Sequence, residues 1–414
     1  MRVLLLGAGG REHALAWAAT RAPSLTELHA APGNPGIARL AACHPVAAED
    51  GEAVLELARG LAVDLVVVGP EAPLVAGVGD VLRRAGIAVF GPSAAAARIE
   101  GSKAFAKDVM AAAGVPTARL LDVPRAPCVV KADGLAAGKG VAVCRTAAEL
   151  EEGLAAVGAF GGEVVAEELL DGPELSLFAL CDGADAIALP LAQDFKRAYD
   201  GDTGPNTGGM GSYAPVPGLG NDEAEALVEL VVRPVLAELE ARGAPFVGAL
   251  FAGLMLCEDG PRVLEYNCRF GDPEAQSVLP LVDGDLLLAL ASAAHGDVTG
   301  AALGTTGGAA VTVVLAAGEY PAAGDRGSPI TGIEDAERLG AVVLHAGTAL
   351  HEGALVTNGG RILNVTATGP TVAEARERAY AAADRIAFDG VRRRADIAAA
   401  AAAGATLSLG RLVG

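Results

Sequence analysis

The chain has 414 residues, 52% of them apolar and 20% charged, with 51 acidic against 31 basic side chains and a formal net charge of −20. That length predicts roughly two to four domains, and the acidic balance argues against a nucleic-acid partner, so any phosphate must be held by local groups against the overall field. No apolar run reaches the ~20 residues of a membrane span and the N-terminal run is too short for a signal peptide; a cytoplasmic protein with no membrane partner is expected.

An apolar strand over 2–6, the turn GAGGREH (7–13) and a helical run over 14–22 form a strand, glycine turn and helix N-terminus, an anion site by geometry. A dinucleotide fingerprint wants a small residue at position 12 and an acid near position 30. Glu12 and Ala30 stand there, so a single phosphate on Gly9, Gly10 and Arg11 is expected in preference to NAD, with a purely structural turn as the alternative. Strands over 28–31, 64–69 and 87–90 alternate with helices over 52–59 and 79–85, the pattern of a parallel sheet. Ligands of such sheets bind beyond the carboxyl ends of the strands, where Gly9, Gly10, Asn34 and Glu71 would gather. Glu71 would serve equally as a helix-capping carboxylate.

A helix over 102–113 carries Lys103 and stops at Gly114 and Pro116. The stretch CVVKADGLAAGKGVAV (128–143) then reads as a hairpin, with Gly134, Gly138 and Gly140 letting the backbone turn its N–H groups onto an anion. It is one residue short of the P-loop of NTPases, and Gly140 stands where a magnesium-binding hydroxyl belongs; if this loop holds ATP, the metal is held elsewhere. Only five of the 31 basic residues are lysine, at 103, 107, 131, 139 and 196. In a chain biased toward arginine, surviving lysines mark positions that need a compact ammonium, as on triphosphate oxygens. Lys107, one helical turn from Lys103, reads as incidental.

A helix over 147–156 precedes strands over 163–170 and 174–181. Backbone groups of Glu167, Glu168, Leu169 and Leu170 suit an adenine edge and the Glu174 carboxylate suits ribose hydroxyls, although isolated acids of this kind are more often solvated. The run QDFKRAYDGDTGPNTGGMG (193–211) reads as a long functional loop. A helix over 222–242 leads to a hairpin of strands 247–257 and 262–267. Glu265 and Asn267, two apart, project from one face and offer two hard oxygens to magnesium; Arg269 points the same way and suits a bidentate carboxylate. An ordinary strand end is the alternative. From about residue 307 the chain reads as a small α+β cap with no chemistry of its own, and the alanine tract 398–403 is assigned no function. The six cysteines, with no C-x-x-C pair, read as reduced core residues.

The segments GAGGREH (7–13), GPEAPL (69–74), GSK (101–103), KADGLAAGKG (131–140), DTGPNTGGMG (202–211) and EYNCRFGDPE (265–274) together resemble the glycinamide ribonucleotide synthetase (phosphoribosylamine–glycine ligase) family of the ATP-grasp superfamily, in order along nearly the whole chain. The resemblance implies a multidomain α/β and α+β architecture: a Rossmann-like preATP-grasp domain over 1–101, an ATP-grasp domain over 102–320 with an inserted lid over about 122–187, and a small α+β C-terminal domain over 321–414. It implies ATP-dependent joining of glycine to 5-phosphoribosylamine through glycyl phosphate in purine synthesis, with small molecules as the partners. Carried over as ATP contacts are Lys103, Lys131, Gly138, Lys139, Gly140, Glu167, Glu168, Leu170 and Glu174. Glu265 and Asn267 would hold Mg2+ or Mn2+. Substrate contacts would be Gly9, Gly10, Arg11, Asn34, Glu71, Asp194, Asn206, Gly208, Gly209 and Arg269, with Arg269 and Lys131 catalytic.

Three departures accompany the resemblance: Phe195 replaces a histidine in a Q-D-H-K-R run, the segment 117–128 is short, and strand 251–257 carries no carboxylate. Another ATP-grasp carboxylate–amine ligase or carboxylase is the rival within the class, opposed by the GGREH start and by GPNTGGMG. A non-catalytic nucleotide-binding regulator is the rival outside it, opposed by Glu265, Asn267 and Arg269.

Overall fold

A computed structural model describes residues 1–134, 140–161, 163–300 and 302–410. Its first unit alternates as expected: β1 (Arg2–Gly7), α1 (Gly10–Ala19), β2 (Glu27–Pro32), β3 (Ala42–Cys43), α2 (Gly51–Gly60), β4 (Leu65–Val68), α3 (Glu71–Val75), α4 (Val78–Arg84) and β5 (Val89–Phe90). The strands make one parallel sheet in the order β3-β2-β1-β4-β5. Runs such as Leu65-Val66-Val67-Val68, buried along their whole length, are what a sheet covered on both faces requires. Two helices follow, α5 (Ala94–Gly101) and α6 (Lys103–Ala113), started by Ser93 and Ser102 hydroxyls that accept from Ala96 and Phe105 N–H groups; Gly114 ends α6 at φ 68°.

The hairpin expected around Lys131 forms. β6 (Cys128–Ala132) pairs antiparallel with β7 (Val141–Cys144), α7 (Ala147–Gly158) packs across them, and β8 (Val164–Glu168) adds the other edge, giving the order β7-β6-β8. This sheet has its own small core of Cys128, Val130, Ala132, Cys144, Val157 and Ala166. The lid expected over about 122–187 is therefore smaller. β9 (Glu174–Gly183) leaves it and, with β10 (Ala186–Ala188), joins the body sheet β10-β9-β15-β16 once β15 (Phe246–Cys257) and β16 (Gly260–Asn267) are formed. The reason is burial: residues 175–181 are covered on both faces, and so small a lid sheet could not supply the second cover.

The polar run 193–211 is not an irregular loop. It contains β11 (Gln193–Asp194) and the ribbon β12 (Arg197–Tyr199) with β13 (Thr203–Asn206), and it leads into β14 (Gly211–Ala214). The helix expected over 222–242 breaks into α8 (Asn221–Leu227), a π-turn at Val228–Val232 and α9 (Arg233–Ala241), because Pro234 lacks the N–H that an uninterrupted helix would use. After β16 come α10 (Glu274–Val278), β17 (Val282–Asp283), α11 (Leu286–Ala294) and β18 (Gly304–Thr305).

The remaining elements are β19 (Ala309–Ala316), β20 (Asp325–Pro329), α12 (Ile333–Arg338), β21 (Val342–His345), β22 (Thr348–His351), β23 (Ala354–Gly359), β24 (Arg361–Gly369), α13 (Val372–Ala383) and α14 (Ala399–Ala402). One antiparallel sheet runs β11-β14-β19-β24-β21, so two strands from the middle of the chain are continuous with the C-terminal ones. The boundary expected at residue 321 thus falls after β19, a strand that already belongs with β24. The six cysteines are unpaired thiols, four of them buried, and no described helix is long and apolar enough to cross a membrane.

Candidate active site

A cleft of about 1700 Å³ opens between the lid sheet, the ends of β15 and β16, the β12–β13 ribbon and the C-terminal sheet. At the lid end, Lys131 projects from β6, is 7% exposed, and donates to the Leu264 carbonyl at 3.0 Å while pairing with Glu167 at 2.8 Å. The other Glu167 oxygen pairs with Lys107 at 3.2 Å, and Lys107 Nζ also donates to Thr117 Oγ1 at 2.8 Å and to the Ala118 carbonyl at 2.7 Å. A buried carboxylate between two ammonium groups leaves a net positive charge on the cleft wall. Lys107 is thus not incidental, and the Glu167 side chain is fully engaged, which leaves the backbone of 167–170 as the edge available to a purine. Glu168, Leu170 and Gly140 line the same wall, with Glu168 accepting from the Arg119 N–H at 2.9 Å. Gly138 and Lys139 lie outside the described residues.

Lys103 opens α6, and its Nζ donates to the Gly134 carbonyl at 2.8 Å. Burial pulls its pKa below the ordinary lysine value, with the nearby Glu265 carboxylate opposing. Asp133, at the end of the lid hairpin's first strand, accepts from the Lys103 and Ala104 N–H groups at 2.6 and 3.3 Å and from Ser102 Oγ at 3.2 Å. It thereby caps α6 from the lid. Asp133 is absent from the sequence expectations although it lies within the KADG motif; a helix cap supplied from thirty positions away has no local signature.

Glu174 faces the cleft and pairs with Lys196 at 2.6 Å, and Lys196 also reaches Asp194 at 2.9 Å. Lys196 holds the Glu174 carboxyl below its usual range, whereas burial pushes Asp194 up despite the same lysine. Burial works against the Lys196 ammonium, yet the two acids keep its pKa well above normal. Phe195 lies beside them, 6.3 Å from Tyr213 between ring centroids, with the Arg394 guanidinium 5.0 Å over its face. The departure from histidine therefore places an aromatic surface at the cleft.

On β16, Glu265 and Asn267 both line the cleft. The Glu265 carboxylate forms no ion pair or hydrogen bond with a described residue. Asn267 Oδ1 accepts from Arg269 Nη2 at 3.3 Å, a long bond. A free carboxylate two positions from an amide oxygen fits a cation that takes few protein ligands and completes its shell with phosphate and water, as magnesium does. Among the described residues no group of three or more His, Cys, Asp or Glu side chains forms an all-protein cage.

Arg269 is held on several sides: it donates to Glu100 at 2.9 Å and to the Phe270 carbonyl at 3.2 Å, and its Nε lies 3.3 Å from Glu71. Arg11 donates to the same carbonyl at 3.1 Å and to Glu12 at 2.6 Å, with Glu71 at 3.8 Å. Although burial works the other way, Arg269 and Arg11 hold the Glu71 carboxyl below the usual glutamate value. Arg361, from β24, donates to the Asp272 carbonyl at 2.7 Å and to the Gly208 carbonyl, and pairs with the Asp272 carboxylate at 3.2 Å. The C-terminal sheet thus contributes a cation to the cleft, contrary to the expectation that it carries no chemistry. The residues Ala399 to Ala401 of α14 line the cleft as well. Asn206 and Gly208 face it, Asn206 accepting from Arg197 at 3.1 Å, while Gly209 stands behind, against Pro273.

The first glycine turn is not arranged as a phosphate cradle. The Gly9 N–H already donates to Glu12 Oε2 at 2.6 Å, and a Cβ at Gly7, Gly9 or Gly69 would collide with the Glu12 side chain. Gly10 is packed against Asn364 and Gln276. Glu12 itself supplies the negative charge that the N-terminus of α1 attracts. Asn34 donates to the carbonyls of Ala8 at 2.8 Å and His345 at 2.9 Å and accepts from the Gly36 and Ile37 N–H groups, so its hydrogen-bonding capacity serves the turn. Of this group only Arg11 and Glu71 reach the cleft.

Comparison with known proteins agrees along nearly the whole chain. The phosphoribosylglycinamide synthetase N domain, ATP-grasp (A) domain and C domain match residues 1–100, 101–275 and 310–400. The chain is 52% identical to the phosphoribosylamine–glycine ligase of Streptomyces coelicolor, over 97% of this chain and 100% of that one. It is 50% identical to that of Mesorhizobium japonicum, over 95% of this chain and 97% of the relative. The crystal structure of phosphoribosylamine–glycine ligase from Thermotoga maritima matches at a TM-score of 0.82 and 37% identity, covering 96% of this chain and 100% of that one.

Proposed function

The chain belongs to the phosphoribosylglycinamide synthetase family, and from that premise we propose which of its residues carry out the ATP-dependent ligation of glycine to 5-phosphoribosylamine. The observation that carries the reading is a single cleft lined by Lys103 and Lys131 at the lid, by Asn267 and by Glu265, which no described residue pairs with, and by Arg11, Arg269 and Arg361. The adenine edge lies on the backbone of 167–170, the ribose near Glu174, and the triphosphate on Lys103, Lys131 and the Gly140 end of the hairpin. Glu265 and Asn267 would hold magnesium, or manganese, which neutralises phosphate charge when bound.

Arg269 orients the glycine carboxylate. One carboxylate oxygen attacks the γ-phosphorus, the bond to the β-phosphate oxygen breaks, and glycyl phosphate and ADP result. The amine of phosphoribosylamine then attacks the acyl carbon, phosphate leaves with the C–O bond pair, and the amine proton is lost to give the amide of glycinamide ribonucleotide. The 5-phosphate is assigned to Arg11 and Arg361, since the Gly9–Gly10 turn is closed by Glu12. No covalent enzyme intermediate is needed: the residues position the reactants and stabilise charge, and a closed lid keeps water from the acyl phosphate.

The test is ADP release from ATP and magnesium with glycine and freshly made phosphoribosylamine, supplied separately and together. Turnover should require both. ADP release that needs neither, or that accepts bicarbonate in place of glycine, would overturn the assignment.

A further inference from the structure

Most acids that line the cleft are paired with a described cation, and of those that are not, Glu265, Glu149, Asp171 and Glu274, only Glu274 is buried. Glu167 is paired with Lys107 and Lys131, Glu174 and Asp194 with Lys196, Glu71 and Glu100 with Arg269, and Asp272 with Arg361. Glu274 lines the same cleft and is 4% exposed, yet among the described residues no lysine, arginine or histidine pairs with it. Besides its own N–H, the described residues give its carboxylate one hydrogen bond, a long one of 3.4 Å from Ser176 Oγ. Gly271 leaves it room: a Cβ there would collide with the Glu274 carboxylate and with Phe178. An ionised carboxylate is costly to bury without a partner, so a site built this way calls for a cation from outside the chain.

Resting on the ligase reading above, we propose that Glu274 is the ammonium subsite that selects glycine, taking the α-ammonium of the amino acid while its carboxylate faces Arg269. Both groups line the same cleft, and each is among the charges that act on the other. Asp194 adds negative charge nearby. Burial, with Asp194 second, pushes the Glu274 carboxyl up to about 7, against Lys196 and Arg269, and a cation seated on it would draw it back down. Neither Ser176 nor Lys196 can substitute: the hydroxyl is neutral, and the lysine is spent on Glu174 and Asp194.

The experiment uses the full-length enzyme and the variants Glu274→Gln and Glu274→Asp, with initial rates measured against each substrate and with glycolate as competitor of glycine. Glycolate keeps the carboxylate and replaces the ammonium by a hydroxyl. Glu274→Gln should raise KM for glycine by about 10- to 100-fold, the worth of a charge-assisted hydrogen bond, and leave KM for ATP within about twofold. The inhibition constant of glycolate should stay nearly unchanged, and Glu274→Asp, which keeps the charge, should recover part of the glycine affinity. An unchanged KM for glycine, an equal loss of glycine and glycolate binding, or a shift in the magnesium activation curve in place of the glycine effect would each overturn the proposal, the last by making Glu274 a metal ligand. Should Glu274→Gln fail to fold, Glu274→Asp decides the matter through the same glycine-to-glycolate ratio. A wild-type enzyme that does not use glycine at all would sink the ligase reading instead.

Discussion

Removing the Glu265 side chain takes away a carboxylate that no described residue pairs with, so the fold has little to lose while the cation site loses its charged ligand. Glu265→Ala should lower turnover at fixed magnesium by about 100-fold or more, beyond the cost typical of an outer-shell change, with thermal unfolding nearly unmoved. Unaltered turnover would remove Glu265 from the metal site. Residues of this kind are legible in a sequence because two oxygens at strand spacing share a face whatever the rest of the chain does. Lys107 and Arg361 are not. Lys107 is explained by Thr117, Ala118 and Glu167 meeting one ammonium, a convergence that helical spacing from Lys103 cannot reveal. Arg361 reaches the cleft only because β24 lies in a sheet that includes β14. The turn at Gly9 misleads in the opposite direction: the motif is present, but Glu12, three residues on, occupies the donor a phosphate would need.

At the scale of elements, the lid hairpin was readable from its two runs of branched apolar residues, and β9 was misjudged for a related reason, since an apolar run buried on both faces does not say which sheet will cover it. The ribbon β12–β13 escaped notice because strands of three and four residues are too short to show alternation. The lid is bonded to the body at several points, through Lys131 and the Leu264 carbonyl, Glu167 and Lys107, the Gly134 carbonyl and Lys103, and Glu168 and Arg262. The segment between α6 and β6 is fixed at Thr117 against Val263 and at Leu120 against Glu167, and the Asp133 carboxylate binds the first turn of α6. Asp133→Ala should therefore cost about 1 kcal/mol as a lost helix cap. Because the same bond fixes the lid next to Lys103, KM for ATP should rise several-fold while KM for glycine stays put. Steady-state kinetics with each substrate varied in turn checks this, and a loss shared equally by both substrates would contradict it.

Across the whole molecule, the N-terminal unit meets the C-terminal sheet at a pair of buried histidines. His13, on α1, accepts through Nδ1 from the His345 N–H at 2.7 Å, and their rings lie 5.5 Å apart edge to face. Burial, then the neighbouring His345, pulls His13 from 6.5 to about 3, and burial followed by Arg39 pulls His345 to about 4. Both folded values lie below the unfolded one, so the unfolded chain binds protons first. The stabilising contribution is complete above pH 6.5 and is lost as pH falls from there toward 4 and 3, by about 1.4 kcal/mol per pH unit for each ring. Denaturant unfolding at pH 7.5 and pH 5 should show this loss, and His345→Gln should have a shallower pH dependence than the parent; equal slopes would refute it. The sheet β11-β14-β19-β24-β21 gives this junction a consequence for inheritance. Because its strands are recruited from both the middle and the end of the chain, the C-terminal portion is not a cassette that recombination could exchange: a foreign replacement would have to match β14 strand by strand and bring its own Arg361 to the cleft. The two portions are bound to change together, as one heritable unit.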